Sequence, residues 1–183
     1  MAAIGVLAGV FFALALGLLA VFFIAKSQLA DSLSNWAFLA FEILMIPVML
    51  EIHRRYVDQA ALTWAVTVIG LAALVVLIVS GLLVVAGRVT FPQVSIPQTA
   101  AFAVFIVWVA ATSVLALAFG GLPAGLGWLG IAAVVVGLGT IAWISRDRTL
   151  VRGERTPTGL EMMFGVVPFI AIAAWLIWLG ASI

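Results

Sequence analysis

Glu42 is the only ionisable side chain set well inside an apolar stretch of this sequence, between Phe41 and Ile43 and five residues before Pro47. A carboxyl carried towards the bilayer centre costs about 2.5–3.5 kcal/mol on insertion scales, so such a group faces a bundle interior or a water-filled cavity rather than lipid. Its chemical uses are proton exchange, a hold on a small cation, or contact with a polar substrate. The plainer alternative is a protonated carboxyl hydrogen-bonded to a neighbouring helix, for instance through a carbonyl released by Pro47. At helical spacing Asn35, Glu42 and Met49 share one side, with Phe38, Met45 and Ile46 nearby. That stripe suits the lining of a cavity, and equally a Met-rich packing seam.

Further along the same stretch come Glu51, His53, Arg54, Arg55 and Asp58. Glu51 with Arg55 and Arg54 with Asp58 are opposite-charge pairs at i,i+4, which read as a solvated helix end. His53 is the sole histidine, so neither bis-histidine haem ligation within the chain nor a histidine-rich metal site is available. With no cysteine either, disulfides, iron–sulfur clusters and thiolate chemistry are excluded. The sequence holds no P-loop, no G-x-S-x-G and no HExxH motif, and no bound metal or cofactor is expected. The reading leans against an enzyme.

The elements that must position these residues are membrane helices. Of 183 residues 67% are hydrophobic and 8% charged, far from the composition of a water-soluble domain. At about 20 apolar residues per span, the chain is used up by one all-α transmembrane domain over residues 1–183. Six segments are expected, at about 2–25, 31–55, 62–86, 97–119, 123–144 and 159–183. The first is read as a span and not a signal peptide, for it lacks a basic leading region and runs too long. The second has an apolar centre of only about 15 residues, so the alternative is five spans plus a re-entrant second segment.

Charge placement favours six. Lys26, Arg88, Arg146, Arg148, Arg152 and Arg155 then fall on odd-numbered connections, against Arg54 and Arg55 on the second. The positive-inside rule puts the 145–159 connection in the cytoplasm and both termini outside a multi-pass cell-membrane protein. Arg146, Arg148, Arg152 and Arg155 are candidate contacts for anionic headgroups or an acidic partner, or simply fix the topology. The scattered charge, net +1, gives no footprint for nucleic acid.

Ser95–Gln98 and Thr158–Glu161 read as capping boxes opening the fourth and sixth helices. Trp36, Trp64, Trp128 and Trp143 fall near segment ends, as interfacial indoles do, and Trp108 is expected to pack mid-bundle. Gly5, Gly9, Ala13 and Gly17 repeat every four residues, a ridge that lets another helix approach closely, within the bundle or between subunits. No internal repeat of three-helix halves is visible.

Gly121-Leu122-Pro123, then Gly127-Trp128-Leu129-Gly130, then Trp175-Leu176-Ile177-Trp178-Leu179-Gly180 resemble a layout found in small uncharacterised prokaryotic six-helix membrane proteins. The resemblance covers about the last 60 residues; it implies a prokaryotic membrane bundle and no particular activity. The leading expectation is movement of a small solute or ion with Glu42 as the protonatable or cation-contacting group. The competing one is a non-catalytic subunit or scaffold, bound to a second copy or to another membrane protein. A third is an intramembrane enzyme acting on lipid or quinone.

Overall fold

The computed structural model describes residues 1–144, 146 and 159–183, with the side chains of 60, 91, 92, 140–144 and 159–166 outside that description. Among the described residues there are six helices and no strand: α1 (Ala2–Ala25), α2 (Gln28–Arg55), α3 (Ala60–Val85), α4 (Phe91–Phe119), α5 (Ala124–Ile144) and α6 (Gly159–Ser182), with a 3₁₀ turn at Val57–Gln59 before α3. Ala2–Ala25, Gln28–Arg55, Ala61–Val85 and Gln93–Phe119 are long and apolar enough to cross a membrane, and Ala124–Gly139 and Val167–Ser182 are shorter apolar stretches. The second segment is therefore one continuous helix and not a re-entrant piece. Its added length comes from polar ends, and Ser27 caps its start by accepting the Ala30 N–H at 3.3 Å.

α4 begins earlier than the sequence suggests. The capping box is Thr90 with Gln93, whose Oε1 takes the Thr90 N–H at 2.7 Å, and Ser95 to Gln98 lie inside the helix. Pro97 is the seventh residue of the helix and leaves the Gln93 carbonyl without the N–H that another residue would supply. The other proposed capping box, Thr158–Glu161, lies outside the described residues.

Each helix packs against its neighbours in sequence, and α1 closes the ring against α6. Short connections make successive helices from α1 to α5 antiparallel, and α6 runs antiparallel to α5, with Trp178 beside Gly125 and Pro168 beside Gly137. Residues 56–59, 120–123 and 183 therefore gather at one end of the bundle, the Tyr56 end, and residues 26–27, 86–90 and 146 at the other, the Lys26 end. The surface is apolar: Ile24, Leu29, Ile96, Val107 and Val135 are all exposed, as lipid-facing positions require.

The middle of the ring is filled by aromatic side chains. Phe12 of α1 packs on Phe41 of α2 with centroids 4.8 Å apart, Phe41 on Phe105 of α4 at 5.6 Å, and Trp108 on Trp175 of α6 at 5.9 Å, all within the range of favourable ring contacts. Trp108 is a core residue as expected, and Met45 and Met49 are fully buried beside these rings. Where helices approach most closely, one of them presents glycine. A Cβ on Gly5 would strike the Gly180 backbone, and one on Gly9 would lie 2.6 Å from Ile177 Cγ1. The first half of the four-residue ridge thus seats α1 on α6 of the same chain. Its second half is not part of that contact: Ala13 and Gly17 are exposed, and nothing lies within 4 Å of where a Gly17 Cβ would be.

Candidate functional site

Glu42 lies on the face of α2 that meets α3. Its residue is 6% exposed, and its Oε2 has no hydrogen-bond partner. A Cβ on Gly81 would stand 3.5 Å from that oxygen and 3.8 Å from Leu39 Cδ1, so the carboxylate lies over the backbone of α3 where a side chain is missing. No neighbouring helix offers a charge. Ala2–Ala25 in α1, Ala60–Val85 in α3 and Phe91–Phe119 in α4 contain no titratable side chain. Ser80, next to Gly81, is committed to its own helix, donating to the Val76 carbonyl at 2.5 Å.

The structure divides the stripe read from the sequence. Glu42 and Met49 both meet α3, Met49 Sδ standing 3.0 Å from where a Gly70 Cβ would be, but Met49 is sealed beneath Trp108. Asn35 is half-buried towards the Lys26 end and makes no hydrogen bond to the carboxylate. Met45 and Met49 form a packing seam, so only the Glu42 level keeps an unsatisfied polar atom on this face of α2. Elsewhere in the core Trp108 Nε1, Thr112 Oγ1 and Trp175 Nε1 are also buried without partners. They are neutral groups, and Glu42 alone among the four can carry a charge.

The far end of α2 keeps Arg54, Arg55 and Asp58 exposed and makes the expected Glu51–Arg55 pair, but its acid is not solvated. Glu51 is buried and bridges Arg54 at 2.9 Å and Arg55 at 3.3 Å, so Arg54 turns back to Glu51 rather than forward to Asp58. Arg55 then donates to the backbone oxygens of Gly121 at 3.4 Å, Ser182 at 3.1 Å and Ile183 at 2.8 Å. Beside it the Tyr56 hydroxyl donates to the Gly120 carbonyl at 2.6 Å, and Thr63 donates to the Tyr56 carbonyl at 2.7 Å. The turn that presents those carbonyls needs glycine, since Gly120 and Gly121 have φ of 72° and 77°. The cluster is a latch binding α2, the α4–α5 connection and the end of α6. His53 belongs to it: Nδ1 is 3.2 Å from Thr67 Oγ1 and the ring packs edge-on to Trp64. No group of three or more metal-ligating side chains occurs among the described residues.

Burial pushes the Tyr56 phenol above its ordinary value near 10, with the Arg55 guanidinium acting in the opposite sense. Arg146 is exposed at the Lys26 end, and Arg148, Arg152 and Arg155 lie outside the described residues. Comparison of the chain with protein-family models, with curated proteins and with solved structures finds no match.

Proposed function

We propose that this membrane protein moves a small solute or ion, with Glu42 as the group that takes it up and releases it. The observation that carries the reading is the unpartnered, buried Oε2 beside Gly81. A buried carboxylate must be neutralised or paired. No protein group nearby does either, so a mobile partner has to. Ser34, about two turns away on the same helix, is by contrast satisfied, donating to the Ala15 carbonyl at 3.0 Å.

The aromatic chain through Phe41, Phe105 and Trp108 closes the route from Glu42 to the Tyr56 end, so passage across the membrane requires α2 and α4 to part. Pro47 supplies a weak point between Glu42 and Met49, since it has no N–H to bond the Ile43 carbonyl. The orientation follows the basic residues, with the Lys26 end in the cytoplasm and residues 1 and 183 outside. A subunit or scaffold role drew on the small-residue ridge, and the engaged half of that ridge is engaged within the chain.

The test is flux through reconstituted protein. Vesicles loaded with a pH dye, under imposed H⁺, Na⁺ and K⁺ gradients, should discharge through the wild type. Glu42→Gln should slow discharge at least about tenfold, the equivalent of about 1.4 kcal/mol, while helicity and detergent-phase monodispersity stay unchanged. A folded Glu42→Gln protein with wild-type flux ends the proposal.

A further inference from the structure

The identity of the partner and its direction of arrival can be read from what surrounds Glu42; both rest on the reading of that carboxyl as the working group. Hard cations collect six or more oxygens, or keep part of their water shell. Around Glu42 the neighbours on α1, α3 and α4 are uncharged along their whole length, and Oε2 lies beside Gly81 without a hydrogen-bond partner. On α2 itself Asp31, Glu51 and His53 are more than two helical turns away. Helix carbonyls are already bonded and make poor substitutes. A proton asks for none of these ligands, because it makes the carboxyl neutral by itself.

Position along the bundle sets the direction. Exposed Trp36 and Trp64, at 55% and 58%, stand on α2 and α3 near opposite ends. The antiparallel register, fixed by His53 against Thr67 and Tyr56 against Thr63, puts Trp64 level with about residue 56 of α2. The two indoles are thus about 30 Å apart along the helix, the thickness of a hydrocarbon core. Glu42 is about 9 Å from the Trp36 level and about 21 Å from the Trp64 level. Gly81 is one turn, about 6 Å, from the end of α3 at Val85. Towards the Tyr56 end the way is filled by fully buried Met45, Met49, Leu74, Phe105 and Trp108.

We infer that Glu42 takes a proton rather than a metal cation, and that the proton reaches it from the Lys26 end of the bundle. A hydrophobic carbodiimide, which attacks protonated carboxyls, tests the first half on the wild-type protein in vesicles. Peptide mass spectrometry should find the adduct on Glu42 and none in Glu42→Gln. Labelling should fall about tenfold per pH unit once the carboxyl ionises, with no protection by Na⁺, K⁺ or Mg²⁺. Protection by any of these cations, or no adduct at any pH, overturns it.

For the second half, Glu42→Cys in this cysteine-free chain should react with a membrane-impermeant maleimide only from the side on which Lys26→Cys reacts. Reaction from the other side, from both or from neither overturns the direction. If Glu42→Cys does not fold, Gly81→Cys reports the same point, since its Cβ fits at 3.5 Å. The two levels separate cleanly. Cation-protected labelling with flux lost in Glu42→Gln keeps the transport reading and removes the proton. The pH-dependent labelling with flux unchanged does the reverse.

Discussion

A single carboxyl among apolar helices changes the local energetics more than any neighbour does, because the cost of burying charge far exceeds that of a missing methyl contact. Glu42 was therefore legible from residue type alone: the sequence offers no other ionisable group so far inside a span. The latch at Arg55 and Tyr56 was not legible. Its acceptors are Gly120, Gly121, Ser182 and Ile183, separated from it by 64 to 128 positions, and local pairing rules point to Asp58 instead. Tyr56 yields a pH prediction. Its phenol is held protonated by burial, so the native state binds that proton more tightly than the unfolded chain. The resulting stability is complete below about pH 10 and is lost as pH rises through the higher native value. As the only tyrosine, Tyr56 can be followed by phenolate absorbance. Its titration should lie above that of the unfolded protein, and Tyr56→Phe should remove this part of the alkaline loss of stability; an unshifted titration would contradict the burial.

Helix positions follow from apolar run length, so the elements were readable, whereas their ends depend on polar caps that compete. Thr90–Gln93 and Ser95–Gln98 offer the same chemistry, and the earlier box adds more than one turn of helix, so α4 starts at Phe91. The glycine ridge was readable as a packing surface, but its partner was not. Nothing in a four-residue spacing says that α6 covers Gly5 and Gly9 and leaves Gly17 bare. The distinction is measurable. Gly9→Leu drives side-chain atoms into Ile177 and should destabilise the bundle by about 1–3 kcal/mol or prevent its closure. Gly17→Leu should be neutral or mildly stabilising, since helix propensity improves and no atom is in the way. Denaturation midpoints in mixed detergent separate the two, and equal effects would mean that α1 does not close on α6 at this crossing.

Across the whole molecule, six antiparallel helices in a closed ring place their polar content unevenly. The Tyr56 end is tied by an arginine, a tyrosine and a buried glutamate, the middle is packed with aromatic rings, and among the described residues the one buried carboxyl oxygen without a partner lies in the third nearer the Lys26 end. Composition and charge placement foretold the ring's members and their alternation. The asymmetry is a property of register between helices, which no single segment encodes. It leaves Glu42 nearer the Lys26 end, with the aromatic packing between it and the Tyr56 end. The most direct measurement is infrared difference spectroscopy of the reconstituted protein as the pH is stepped. A carboxyl C=O band that appears with protonation, shifts in heavy water and is missing from Glu42→Gln is the predicted result. A difference spectrum identical in wild type and Glu42→Gln would show that the carboxyl never changes state, and would contradict the account.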